Sequence, residues 1–163
     1  LPFFSGAILP EWNPDARGVF MGLTLKHTRA HMGRSILEGT AYVLKDMVSH
    51  LSKIGLEPSR IVLAGGGARS RVWRQIKADV VNRTMAYCEN GEVTALGAAM
   101  ISAAGCGLYN SIDEAVRKIV KLSEDLQPSL GSSQTYGKLH AIYSEAYEAL
   151  KPVFQKTAEF QES

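Results

Sequence analysis

Apolar residues recur at Ala30, Ile36, Leu37, Ala41, Leu44, Met47, Val48, Leu51 and Ile54. That spacing is helical and predicts one long helix over Thr28–Ile54. Gly55 follows as a C′ residue and Pro58 lies just beyond. At about 1.5 Å per residue such a helix reaches roughly 40 Å. Arg60–Ala64 is short, apolar and almost without alternation, the pattern of a parallel strand buried on both faces. A helix over Ser70–Val81 carries Trp73, Ile76 and Val80 on one face, and a second strand covers Thr84–Cys88. The stretch VTALGAAMISAAG predicts a helix whose Gly97, Ala98, Ala99 and Ala103 let a neighbour pack close. Ser111 and Glu114 have capping-box spacing and open another helix. A final helix starts near Ser133 with Tyr136, Leu139, Tyr143, Tyr147 and Leu150 at core spacing, and Pro152 is expected to kink or end it.

The order is αβαβααα after an irregular segment, Leu1–Leu25. Strand, glycines, helix and strand together form a right-handed crossover unit of an α/β sheet. Two parallel strands make a poor sheet, so neighbouring strands are expected outside this chain and at least one strand edge is expected to be open. An open edge favours self-association. The chain begins with Leu1, not methionine, which fits a fragment of a longer protein.

Composition narrows the function classes. The 163 residues carry 18 basic and 16 acidic side chains, interleaved, for a net charge of +2. No basic tract points to nucleic acid or an anionic membrane. No run has membrane-spanning length and no signal peptide is evident. Cys88 and Cys106 have neither CxxC nor metal spacing, and buried, reduced thiols in a cytoplasmic protein are expected. Asn82-Arg83-Thr84 matches a glycosylation sequon, a triplet common by chance.

The candidate chemistry sits in IVLAGGGARS, Ile61–Ser70. Three glycines at a strand's end mean a sharp bend or a close approach. GGGARS lacks the lysine of a P-loop, and the GxGxxG spacing fails at Ser70, although Glu89 stands where a ribose-binding acid would. Two readings stay level: a ligand lying on the Gly66 and Gly67 backbone at the helix N-terminus, or a tight strand-to-helix turn with Ser70 as cap. His27 and His31, four apart, invite a zinc reading, but HTRAH lacks the Glu of HExxH and no third ligand is placed. A role at the helix start suits them better. Asp15 and Arg17 suit a loop salt bridge, Trp73 suits the core, and Glu92 suits a helix N-terminus.

Four stretches together resemble the carboxyl-terminal part of the FGGY carbohydrate kinases, most like the xylulokinase branch. They are WNPDARGVFMGLTLKHTRAHMGRSILEG, AGGGARSRVWRQIKADV, EVTALGAAMISAAG, and the tyrosine-spaced last helix with LKPVF. The first fits the family's second signature at Gly18, Phe20, Gly22, Leu23, His31, Met32, Ser35, Ile36, Leu37 and Glu38. The resemblance implies an actin-like ATPase fold of ribonuclease H type, with residues 1–163 forming a partial carboxyl-terminal nucleotide-binding domain. That domain would lack its first antiparallel strands and face the protein's own amino-terminal domain across a cleft. It implies ATP and Mg²⁺, and phosphoryl transfer to a ketopentose or related polyol. Glycerol, gluconate and ribulose are alternative acceptors, and a non-catalytic assembly fragment is the alternative of another class. Gly65, Gly66, Gly67, Ala68, Ser70 and Arg71 would form the nucleotide site. A larger side chain at Gly67 would fill nucleotide space. No residue of this chain would be catalytic, because the base lies in the amino-terminal domain, and none would bind metal. Relatives commonly carry SGERTP where this chain has SGAILP, Ser5–Pro10, so its sugar assignment and activity depart from the pattern.

Overall fold

The computed structural model describes residues 1–162, with the elements in the predicted order: α1 Arg29–Lys53, β1 Arg60–Leu63, α2 Arg71–Val81, β2 Thr84–Tyr87, α3 Val93–Gly105, α4 Ile112–Ile119 and α5 Leu130–Glu162. A 3₁₀ turn, Gly66–Ala68, joins β1 to α2. β1 and β2 are parallel, with Arg60 opposite Thr84 and Leu63 opposite Tyr87.

Two apolar clusters hold the elements together. One gathers Phe3, Ala7 and Ala16 of the irregular segment, Ala41 and Tyr42 of α1, Ile76 and Val80 of α2, and Tyr136, Tyr143, Tyr147 and Phe154 of α5. The other joins Val48 of α1, Ala78 and Val81 of α2 and Met85 of β2, with Leu44, Ile61 and Leu63 against them. The predicted apolar face of α1 is buried only in part. Ile36, Met47 and Ile54 are exposed, because no described element covers the helix at those points. Buried Asp46 on α1 faces α5 instead, with its Oδ1 2.8 Å from His140 Nε2.

The strands correct one expectation and refine another. β1 is not buried on both faces, since Val62 is 49% exposed while Ile61 and Leu63 pack toward α1 and α2. Its outer edge carries no backbone hydrogen bond among the described residues. The outer edge of β2 is occupied. Met85 and Leu126 exchange N–H···O bonds of 3.0 and 2.8 Å, and the Ser123 N–H donates to Tyr87 O at 2.8 Å. This antiparallel run is strand-like but broken, so alternation does not reveal it.

α5 begins three residues earlier than predicted, at Leu130, because the buried Asp79 carboxylate accepts the Ser129 N–H at 2.8 Å and anchors its approach. It does not end at Pro152 but runs on to Glu162. Proline removes one helical hydrogen bond, and burial of Phe154 against Tyr147 beyond it offsets the loss. Of the two thiols, Cys88 is buried but Cys106 is exposed, at the end of α3, whose main packing among the described residues is against α4. Arg17 makes no ion pair with Asp15; it donates to Pro14 O and Ala16 O at 2.8 and 3.1 Å and folds the loop on itself. Asn82, in the sequon, adopts a left-handed φ of 56° as the C-cap of α2.

The capping of α4 has a pH consequence. Ser111 Oγ accepts the Glu114 N–H, while the Glu114 carboxylate accepts from Lys118 Nζ at 2.7 Å and from Asn110 N and Nδ2 at 2.8 Å. The Lys118 bond first, then those of Asn110, lower the Glu114 pKa from 4.5 to about 2. A lowered folded-state pKa makes the contribution complete above the unfolded value and lost as pH falls through the folded one. Protection factors of the α4 amides, that is, exchange corrected for its intrinsic pH dependence, should therefore fall between pH 4.5 and about 2 in the native protein and not in Glu114→Gln. Equal pH profiles for the two would refute this cap.

Candidate nucleotide site

Parallel pairing places the carboxyl ends of β1 and β2 at one edge, where ligands of open α/β sheets are received. Two loops meet that edge: Gly65–Ser70 after β1 and Glu89–Glu92 after β2. Gly65 turns the chain with φ +80°, a conformation that costs glycine little. The turn then closes through Ala68 N–H to Gly65 O at 3.1 Å and Arg69 N–H to Gly66 O at 3.2 Å. Ser70 caps α2 as predicted, accepting the Trp73 N–H at 3.3 Å. The N–H groups of Gly66, Gly67, Arg71 and Val72 have no protein partner among the described residues. Unpaired N–H groups on a turn and a helix N-terminus favour an anionic or carbonyl-bearing group.

The predicted site residues separate into distinct environments. Gly65 and Gly66 are exposed, and a Cβ on either would meet nothing within 4 Å. Gly67 is half-buried, and its Cβ would lie 2.7 Å from Trp73 Cζ3. A side chain at Gly67 therefore strikes Trp73 before it reaches any ligand. Ala68 is buried at 1%, with its N–H bonded to Gly65 O and its carbonyl to Arg74 Nη1. Arg71 is exposed and lines a different hollow, about 320 Å³, with Arg34, Val72, Gln75, Ile76 and Asp79.

Sequence reasoning missed one support of each loop. Arg74 donates from Nη1 to Ala68 O at 2.7 Å and Arg69 O at 3.2 Å, with its guanidinium 4.9 Å from the Tyr87 ring centroid. Asn90 fixes the second loop, donating to Ile119 O at 2.9 Å and accepting the Lys121 N–H at 2.6 Å. The spacing from Arg69 to Arg74 gave no signal, because arginine on a helix reads first as a solvated residue.

The two histidines belong to the start of α1. His31 Nδ1 accepts the Thr28 N–H at 3.1 Å and lies 2.9 Å from Thr28 Oγ1. His27 repeats the arrangement with Thr24, at 2.9 and 3.0 Å. Accepting a backbone N–H leaves the neutral ring's proton on Nε2, so neither ring offers a free lone pair to zinc. Beside them a largely apolar groove of about 520 Å³ runs between the irregular segment, α1 and α5.

The strand pair, the glycine turn and the start of α2 define an α/β domain whose carboxyl edge carries unpaired N–H groups. The chain belongs to the FGGY family of carbohydrate kinases, whose C-terminal domain matches residues 1–106. Xylulose kinase of Escherichia coli K12 is 34% identical over 154 residues, 94% of this chain and 32% of that protein. The crystal structure of ligand-bound xylulose kinase from Lactobacillus acidophilus superposes with a TM-score of 0.85 at 29% identity, over 96% of this chain and 32% of the other. That of Plasmodium falciparum glycerol kinase with ADP gives 0.77 at 26% identity, over 91% and 29%. The chain thus spans about a third of the length of the curated relatives it matches. No helix among the described residues is long and apolar enough to cross a membrane.

Proposed function

We propose that residues 1–163 form the carboxyl-terminal, ATP-binding portion of an FGGY sugar kinase with the actin-like architecture, transferring the γ-phosphoryl of ATP to a hydroxyl of a xylulose-like ketopentose or related polyol. The carrying observation is the exposed Gly65–Gly66 surface beside four unpaired N–H groups at the carboxyl edge of the strands. A flat or phosphorylated ligand can lie on that backbone without meeting a side chain. The family membership and the likeness to a glycerol kinase crystallised with ADP support the nucleotide assignment. The E. coli and L. acidophilus relatives support a xylulose-like acceptor.

In this reading the substrate hydroxyl oxygen bonds to the γ-phosphorus, the bond to the bridging oxygen breaks, and ADP leaves. The hydroxyl proton goes to a base in the protein's amino-terminal domain, packed across a cleft from this one. Positioning and charge stabilisation carry such a reaction. The chain's share is to hold the nucleotide by the Gly66 and Gly67 N–H groups and the start of α2. Mg²⁺ is the metal such a kinase uses, but no group of three or more His, Cys, Asp or Glu able to hold a metal occurs among the described residues. Mg²⁺ is usually held by nucleotide phosphates, water and one or two carboxylates rather than by an all-protein cage, and no step here runs through it.

Calorimetric titration of the chain with ADP tests the assignment. Saturable binding with one site per chain is the expected result, and no heat at millimolar ADP at two well-separated temperatures would overturn it. A coupled assay with the chain, ATP and xylulose should give no sugar-dependent ADP. Sustained turnover would place the base within residues 1–163.

A further inference from the structure

The Trp73 indole spans the space between the glycine turn and α1. At one end Nε1–H is shared between Leu37 O and Thr40 Oγ1, each at 3.1 Å. Thr40 Oγ1 itself donates to Leu37 O at 2.9 Å, so the acceptor pair is fixed on the α1 backbone. At the other end the benzo edge reaches Gly67, where a built Cβ would sit 2.7, 3.2 and 3.3 Å from Cζ3, Cη2 and Cε3. Lys77 Nζ stands 4.4 Å from the ring centroid, a cation–π contact on its face. The ring is thus held by hydrogen bonds at one end, a cation on its face and a glycine at its far edge. Such a ring does not swing aside cheaply.

We infer that Trp73 is a positioning residue for the nucleotide: it braces the Gly66–Gly67 turn against α1 and sets where the unpaired N–H groups point. The inference rests on the nucleotide reading proposed above and adds what fixes the geometry of that site. Gly67 is then glycine because the brace needs its space. Gly66, whose Cβ direction is open, is the position that faces the ligand. Loss of the brace leaves the turn closed only by its own two backbone bonds and by Arg74. The turn would then sample orientations that do not bind, and apparent affinity falls with the fraction of time spent in the competent one.

The chain has two tryptophans, and Trp12 is 76% exposed on the irregular segment. Trp12→Phe leaves Trp73 as the sole indole. ADP titration of that protein should change Trp73 emission along a curve whose Kd equals the calorimetric one. Trp73→Phe keeps an aromatic ring but loses the N–H and the benzo edge. It should raise the ADP Kd about tenfold, or 1.4 kcal/mol, with unchanged far-ultraviolet circular dichroism. Gly67→Ala should raise the Kd similarly in the native background and add little in Trp73→Phe, where the ring has withdrawn. If Trp73→Phe does not fold, the emission titration and Gly67→Ala decide the matter. Native protein that does not bind ADP defeats the nucleotide reading and this inference with it. Native binding with silent Trp73 emission and unaltered affinity in Trp73→Phe and Gly67→Ala defeats the inference alone.

Discussion

Gly66→Leu should weaken ADP binding at least tenfold, about 1.4 kcal/mol, while leaving the fold intact. Gly66 is exposed, its φ lies outside the left-handed region, and a Cβ there meets nothing within 4 Å. The free protein therefore accommodates the side chain. Leucine is unbranched at Cβ and suits helical backbone, so the 3₁₀ turn persists and thermal stability should move by no more than about 0.5 kcal/mol. In the complex the isobutyl group occupies the surface on which the ligand lies and covers the Gly66 and Gly67 N–H groups. Gly65→Leu is the poorer test, because φ +80° there strains any side chain and mixes folding with binding. Calorimetry of both proteins at matched folded fraction settles the point. Unchanged ADP affinity in Gly66→Leu would remove the turn from the site.

Gly67 shows how far the sequence reaches. The triple glycine marked the turn between β1 and α2, and the strand–turn–helix order placed it at the carboxyl edge of β1. Which glycine answers to a ligand and which to a neighbouring side chain is a question of direction. Direction depends on Trp73, three-dimensionally adjacent but six residues on. The same limit applies to α1. Its periodicity found the helix but, of its buried residues, only Ala41 and Val48 and not Gly39, Tyr42 or Asp46, while Ile36 and Met47 satisfy the period and remain exposed. Periodicity reports that a face is apolar, and the described elements that pack on α1 decide how much of it is covered.

Elements held by tertiary contacts were the hardest to read. The 121–126 run pairs with β2 through backbone groups, and its Lys-Leu-Ser-Glu-Asp-Leu composition has no strand signature. α5 passes through Pro152 because packing at Phe154 outweighs a local penalty. By contrast, the Ser70 and Ser111 caps were legible because a cap bond closes within three residues.

Ile76→Ala should cost about 2–5 kcal/mol of stability, the range for deleting buried methyl groups. Ile76 is 1% exposed and sits where α1, α2, α5 and the irregular segment meet in one cluster. The same cluster holds Tyr143 and Tyr147, both packed on the Phe3 ring, with Tyr143 also against Tyr42. A cavity bounded by interlocked rings relaxes little, which places the loss toward the upper end of the range. Val72 lies one turn earlier on α2 but is 60% exposed, so Val72→Ala should stay within about 0.5 kcal/mol. Urea denaturation of the two variants gives the comparison, with the slope unchanged and only the midpoint moved. Because Ile76 supports α2 from behind, the folded fraction of Ile76→Ala should keep native ADP affinity, which separates core support from the turn. A midpoint for Ile76→Ala equal to that of Val72→Ala would mean that α2 does not dock on α1 and α5 through this residue. The site at its N-terminus would then need another anchor.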